Sequence, residues 1–83
     1  MIRVCYFARV REALGQDSEQ VQFQPGLTVA ALRQQLAERG SPWQAALADD
    51  QRLLAAVNQT LASADTLISD GDEVAFFPLV TGG

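Results

Sequence analysis

Residues 70–83 read DGDEVAFFPLVTGG, and this stretch decides the fold. Residues 73–79 are almost continuously apolar, which is typical of a strand buried in the middle of a sheet. The turn-forming residues 69–72 precede this strand. A similarly apolar segment, residues 2–7, opens the chain. We therefore expect the last strand to lie beside the first, parallel to it, in the centre of one sheet.

Two further segments follow the first strand. Residues 8–14, closed by Gly15, are predicted to form a short helical turn. Residues 19–24 alternate, with Val21 and Phe23 on one face and glutamines on the other. This alternation predicts a half-buried strand that pairs with the first as a hairpin and ends at Pro25 and Gly26.

The main helix is predicted to begin after Thr28, whose hydroxyl can accept a hydrogen bond from the first turn. Val29, Leu32 and Leu36 recur at helical spacing and predict one buried stripe. Gly40 is expected at the C′ position, where a left-handed conformation is common.

A second, short helix is predicted from Ser41 as N-cap and Pro42 as the first helical residue. Residues 53–58 are predicted as a strand and 58–60 as a turn. Residues 61–68 leave two alternatives open, a short strand or a 3₁₀ turn.

The order strand, strand, helix, short helix, strand, strand predicts an α+β fold of the β-grasp (ubiquitin-like) type. It has a mixed sheet, one main helix and one short helix. Residues 1–79 form the domain and residues 80–83 a flexible Gly-Gly tail. A ferredoxin-like sandwich is the alternative, but it requires a second full helix, and residues 42–48 are too few for one.

Charge and composition exclude several function classes. The net charge is −4, with six scattered Arg against ten acidic residues, which argues against nucleic acid and anionic membranes as partners. An acidic module instead suits a basic protein partner.

The residue types that usually carry acid–base or metal chemistry are scarce. The chain contains no His and no Lys, so it lacks the usual general base and the commonest metal ligand. Asp70, Asp72 and Glu73 lack the further oxygens that a calcium site requires, so no metal site is predicted.

Cys5 is the single cysteine, and it is expected to be a buried packing residue. A lone cysteine suits a reducing cytoplasm, and we expect that location. The first residues do not resemble a signal peptide, and no stretch is long and apolar enough to span a bilayer.

The C-terminal Gly82-Gly83 is the strongest candidate for a functional group. Glycines let the end of the chain enter a narrow slot, and no side chain hinders attack on the last carbonyl carbon. The carboxylate of Gly83 is ionised at neutral pH and is a poor electrophile, so it must first be activated, most simply as an acyl-adenylate. If sulfide or a persulfide then displaces AMP, the product is a thiocarboxylate.

Segments along the whole chain carry a family resemblance. The segments IRVCYFARVREALG, LTVAALRQQLAERG, LLAAVNQT and SDGDEVAFFPLVTGG resemble the small subunits of molybdopterin synthase. The resemblance implies that an E1-like, ATP-consuming enzyme adenylates Gly83 and that a sulfur donor then converts it to a thiocarboxylate. It also implies a sulfur-donating, non-catalytic subunit that binds no cofactor. Its tail enters the active site of a large subunit, within a heterotetramer, to supply cyclic pyranopterin monophosphate with sulfur for molybdenum cofactor biosynthesis.

Residues next to the tail are expected to bind the partner. Phe76 and Phe77 are adjacent on a strand, so one of them must face away from the core. Phe77, Leu79, Val80 and Thr81 are therefore predicted to contact the large subunit. Two alternative functions stay open: a sulfur carrier for another pathway, such as the thiamine thiazole type, and a ubiquitin-like protein modifier.

Overall fold

The computed structural model describes residues 1–48 and 52–79. In chain order the elements of these residues are β1 (Ile2–Tyr6), α1 (Ala8–Leu14), β2 (Ser18–Val21), α2 (Val29–Ala37), α3 (Trp43–Ala46), β3 (Leu53–Val57), β4 (Thr60–Ala62) and β5 (Glu73–Pro78). The strands form one mixed sheet in the order β2-β1-β5-β3-β4. β5 is parallel to β1 and antiparallel to β3, so the predicted central position of the last strand is confirmed.

The helices cover one face of this sheet. Alternate residues of the two central strands, among them Val4, Tyr6, Val74 and Phe76, pack into one cluster with residues of the helices, including Leu32. Each of these five is at most 1% exposed. The architecture is the predicted α+β β-grasp. The ferredoxin-like alternative fails because α3 has only four residues.

The link between β1 and β2 is the predicted one, because residues 8–14 form α1 and Gly15 closes it in the left-handed conformation at φ 73°. The two strands pair antiparallel, as predicted, with this helix between them. β2, however, ends at Val21, three residues earlier than expected. The physical reason is the register: Val21 pairs with Ile2, where β1 begins, so the next residues have no strand to pair with. Phe23 nevertheless packs against the core.

The main helix begins as predicted. Thr28 has extended backbone angles, and its Oγ1 accepts a hydrogen bond from the Ala31 N–H at 3.1 Å. Its end was predicted less well, because Glu38 is the C-cap. Gly40 does take the left-handed conformation, at φ 89°, but it lies two residues beyond that cap.

The start predicted for the short helix is wrong by one residue. Pro42 is the N-cap rather than the first helical residue, it makes no side-chain cap bond, and α3 begins at Trp43. In residues 61–68 the strand alternative is confirmed by β4, which continues the hairpin from β3 through a two-residue turn. Asn58 and Gln59 form this turn with φ of 51° and 69°, and positive φ at both positions is the twist that joins antiparallel strands tightly.

None of the helices in residues 1–48 and 52–79 is long and apolar enough to cross a membrane.

Candidate functional site

The chain leaves the sheet at the carboxyl end of its central strand. Pro78 pairs with Leu53 at the end of β5, and the Leu79 N–H donates to the Arg52 carbonyl at 3.2 Å. The origin of the predicted tail is therefore held by backbone pairing on the β3 side of β5. The predicted site residues Val80, Thr81, Gly82 and Gly83 lie outside the described residues.

Phe76 and Phe77 point to opposite faces of the sheet, as predicted. Phe76 is 1% exposed and belongs to the core cluster. Phe77 is half-buried on the other face, where Leu54 of β3 is its partner in register. Leu79, two residues further along, is 48% exposed. Both predicted contact residues of the described chain are therefore accessible beside the point where the tail leaves the sheet.

The sheet face opposite the helices is mostly apolar near that point, and we call it the open face. Strand register places Cys5, Ala75, Ala56 and Leu61 in one row across the four strands β1, β5, β3 and β4. Phe7 follows β1, and its N–H donates to the Phe76 carbonyl at 3.3 Å. The small side chains of Cys5, Ala56 and Ala75 thus lie in the middle of this face, and larger apolar side chains lie around them. The open face comprises Cys5, Phe7, Leu54, Ala56, Leu61, Ala75, Phe77 and Leu79.

Several members of the open face expose unusually large apolar area. Phe7 is 48% exposed and Leu61 is 66% exposed. Contiguous exposed apolar surface on a small protein marks an interaction site. Sequence reasoning missed Leu54 and Leu61. The signal that could have found Leu61 is its position two residues beyond the Asn58-Gln59 turn, because the register of a two-residue hairpin assigns each residue to a face.

The thiol of Cys5 lies within this face but is nearly covered. Cys5 is 8% exposed, which confirms its predicted burial. Among residues 1–48 and 52–79, no group of three or more His, Cys, Asp or Glu side chains is placed to hold a metal ion.

Charges differ between the two ends of the sheet. Arg9 and Arg11 lie on α1, which follows the carboxyl end of β1, and both are exposed. Arg52 is exposed at the same end. At the opposite end Arg3 pairs with Glu73 at 3.9 Å, and the amino group of Met1 pairs with Asp70 at 2.5 Å. Three of the six Arg, Arg9, Arg11 and Arg52, thus lie at the end of the sheet where the described part of β5 ends.

Asn58 and Asp72 join two turns at the end of the sheet far from the tail. The Asn58 side-chain amide donates to Asp72 Oδ1 at 2.9 Å, and its oxygen accepts from the Glu73 N–H at 3.0 Å. Asp72 Oδ2 accepts from the Ser69 N–H at 2.8 Å. This backbone bond, followed by the bond from Asn58, lowers the pKa of the Asp72 carboxyl. These contacts give Asn58 and Asp72 a structural role in holding the two turns together.

A cavity of about 210 Å³ lies between α2 and the β3–β4 hairpin. Its walls are mainly apolar, and Arg33 is its one charged lining residue among those described. The Arg33 guanidinium donates to the carbonyls of Leu47 at 2.9 Å and Ala48 at 2.5 Å. It therefore has a structural role in holding the end of α3, and the cavity offers no set of acid and base groups.

Known proteins match this chain over its full length. A molybdopterin synthase sulfur carrier subunit from Escherichia coli (strain K12) is 55% identical over 83 residues, which cover 100% of both chains. A putative molybdopterin converting factor, subunit 1, from Pyrococcus furiosus has a solved structure with a TM-score of 0.78 and 28% identity, covering 95% of this chain and 97% of that one.

A chain from the protein–protein complex of subunits 1 and 2 of molybdopterin-converting factor from Helicobacter pylori 26695 shares the fold. Its TM-score is 0.65 at 20% identity, with 99% of this chain and 97% of that chain covered. Residues 4–83 match the ThiS family, a range that begins within β1 and includes the predicted tail. With this match over nearly all of its length and a relative 55% identical from end to end, the chain belongs to the ThiS family.

Proposed function

We propose that this protein is the sulfur carrier subunit of molybdopterin synthase and that it carries sulfur as a thiocarboxylate on Gly83. The observation that carries the proposal is the junction at Leu79, where a central strand ends beside an exposed apolar face. A chain end that leaves at this point can enter a partner's active site while the open face is held against that partner. The Escherichia coli relative bears the corresponding name.

The chemistry requires two steps at the carboxyl group of Gly83. An oxygen of the Gly83 carboxylate attacks the α-phosphorus of ATP on an E1-like activating enzyme, and pyrophosphate leaves. A sulfide or persulfide sulfur then attacks the carbonyl carbon, and AMP departs with the electron pair of the broken C–O bond. After a persulfide attack, a thiol must reduce the remaining S–S bond. The carrier itself binds no cofactor, since ATP is consumed on the activating enzyme.

Docking on the large subunit would bring the thiocarboxylate to cyclic pyranopterin monophosphate. The open face provides apolar area for this contact, and Phe77 and Leu79 lie next to the tail. We assign the groups that bind and protonate the substrate to the large subunit, since the described residues include no group of three or more His, Cys, Asp or Glu side chains that could hold a metal ion. Binding converts sulfur delivery from a bimolecular step into one with a high effective molarity. We place the reaction in the cytoplasm, where the single cysteine stays reduced.

Intact-mass spectrometry tests the sulfur loading. After incubation with the activating enzyme, ATP and a sulfur donor, the chain should gain the mass of one sulfur-for-oxygen exchange. Gly83→Ala is the matched control. It should unfold at the same denaturant concentration yet fail in sulfur transfer, because its added methyl group hinders attack at the carbonyl. A mass gain that persists after removal of Gly83 would contradict the proposal.

Copurification separates this function from the two alternatives. A molybdopterin synthase large subunit should bind both the intact chain and a variant without Gly82 and Gly83, but only the intact chain should support turnover. A carrier for another pathway would show sulfur loading without this binding. A protein modifier would instead appear as a ladder of conjugates attached through Gly83.

A further inference from the structure

The nucleophilic groups that could attack an activated Gly83 are either absent from the sequence or buried or distant in the fold. The sequence contains no Lys, so its body offers no ε-amine, and it contains no His that could act as a general base. Cys5 is the single thiol and is 8% exposed in the middle of the sheet. The Tyr6 hydroxyl donates to Glu19 Oε2 at 2.8 Å, and burial together with this carboxylate raises the pKa of the phenol far above its ordinary value.

The amino group of Met1 lies at the wrong end of the sheet for such an attack. It pairs with Asp70, and the Gly71 N–H donates to the Met1 carbonyl at 3.0 Å. β5 then runs from Glu73 towards Leu79, six residue steps of about 3.3 Å each, or roughly 20 Å. Four residues beyond Leu79 span at most about 14 Å even when fully extended. The tail therefore falls short of this amine.

We propose that this carrier is inert toward its own activated end, because its sequence has no Lys and no His, the Cys5 thiol is nearly covered, and the Met1 amine lies farther from Leu79 than four residues can span. The inference rests on the proposed function, since only an activated Gly83 needs such protection. It goes beyond that function because it assigns a chemical property to the body of the carrier rather than to its tail.

The reaction that this arrangement prevents is intramolecular aminolysis. An unprotonated amine would attack the carbonyl carbon of the acyl-adenylate, the C–O bond to AMP would break, and AMP would leave with the bonding electrons. The amine would release a proton to solvent, and a stable amide would remain. Since amides resist both sulfide and water, the chain would be permanently lost as a carrier. Hydroxyl groups react more slowly with an acyl-adenylate, because they need an activating base.

Charge-preserving substitutions can create the missing amine at a chosen distance. Arg52→Lys places an amine next to the origin of the tail, because the Arg52 carbonyl accepts from the Leu79 N–H. Arg3→Lys is the matched control. Arg3 pairs with Glu73 in register at the other end of β5, so its amine is reached only if the tail and the lysine side chain are both fully extended. Both positions are exposed.

The test uses a chemically prepared alkyl thioester of Gly83, made by thiol cleavage of an intein fusion. The thioester is incubated at about pH 9, where a measurable fraction of lysine with a pKa of about 10.4 is unprotonated. Mass spectrometry distinguishes the hydrolysed chain from the internal amide, which is lighter by one water. We expect Arg52→Lys to form the amide several-fold faster than Arg3→Lys and the unaltered chain to give only the hydrolysed product.

Two results would overturn the inference. One is an Arg52→Lys thioester that decays only by hydrolysis, at the rate of the unaltered chain; the other is an internal amide formed by the unaltered chain itself. Equal urea midpoints for the three proteins ensure that the comparison concerns folded chains, and proteolytic mapping should locate the amide between residues 52 and 83. Because no activating enzyme takes part, failure here is distinct from failure of the proposed function, which would appear as no sulfur loading of the unaltered chain.

Discussion

Truncation of Phe76 should lower the stability of the fold, whereas truncation of Phe77 should weaken binding to the large subunit, since the two side chains lie on opposite faces of β5. Phe76 is 1% exposed within the core, and replacing a buried Phe by Ala costs about 3–5 kcal/mol of unfolding free energy. A domain of this size has about 4–12 kcal/mol in total. Phe76→Ala should therefore lose about a quarter or more of its stability. At about 4–8 °C per kcal/mol, the midpoint of thermal unfolding should fall by more than about 12 °C.

Phe77→Ala should leave the fold largely intact and weaken docking. Phe77 is half-buried on the open face, so its removal leaves no enclosed cavity and should cost about 1 kcal/mol of unfolding free energy. At the centre of an interface the same truncation removes an aromatic anchor worth about 2 kcal/mol or more. That loss corresponds to roughly a 30-fold weaker Kd for the large subunit.

Two measurements test the predictions for Phe76→Ala and Phe77→Ala. Urea unfolding can be followed by the fluorescence of Trp43, the single tryptophan, whose ring makes an edge contact with Tyr6 at 5.8 Å and lies 4.5 Å from the Arg39 guanidinium. Calorimetric titration with the large subunit gives the Kd. The reasoning is refuted if Phe77→Ala binds the large subunit as tightly as the unaltered chain, or if it destabilises the fold as much as Phe76→Ala.

Three further predictions concern other parts of the fold. Thr28→Ala removes the bond to the first turn of α2 and should cost about 1 kcal/mol in urea unfolding; an unchanged midpoint would contradict the cap. The lowered pKa of Asp72 stabilises the fold above the unfolded pKa of about 3.9, and this contribution is lost as pH falls through the folded pKa. Asp72→Asn should therefore lose less stability than the unaltered chain between neutral pH and about pH 3, and equal losses would show that the bonds from Ser69 and Asn58 contribute nothing. Leu61→Gln should weaken binding to the large subunit without lowering the thermal midpoint, since Leu61 is 66% exposed; normal binding would place Leu61 outside the interface.

The central strands and the main helix were predictable because their signals are local and strong. The runs that became β1 and β5 are apolar on both alternations, and Thr28 precedes a stripe at helical spacing. The alternation of residues 19–24 correctly assigned Val21 and Phe23 to the same face. It predicted a strand longer than the one observed, because the length of a strand depends on the strand with which it pairs. The sequence of β2 does not indicate how far its partner β1 extends.

Part of the candidate site was likewise predictable from local sequence, and part depended on contacts between strands. Two adjacent aromatic residues on a strand predicted that one of them faces away from the core, and in the structure this residue is Phe77. The extent of the open face was not predictable in this way, since Leu54 and Leu61 join Phe77 only through pairing between strands distant in sequence. The exit of the chain beside Arg52 likewise depends on the antiparallel β3–β5 pair. Tertiary pairing, rather than any local pattern, assembles this surface.

The central position of β5 has a mechanical consequence for a protein whose working group is its last residue. β5 is paired with β1 through Phe76 and with β3 through Pro78, its last residue. Strands in the middle of a sheet are among the last parts of a fold to open locally, so the origin of the tail stays fixed even when the edge strands fray. A tail attached to an edge strand would swing with that strand and sample a larger volume. A fixed origin at Leu79, beside the open face, keeps the attachment point of the tail at one place relative to a docked partner, and a fixed attachment point raises the effective concentration of a tethered group at a docked site.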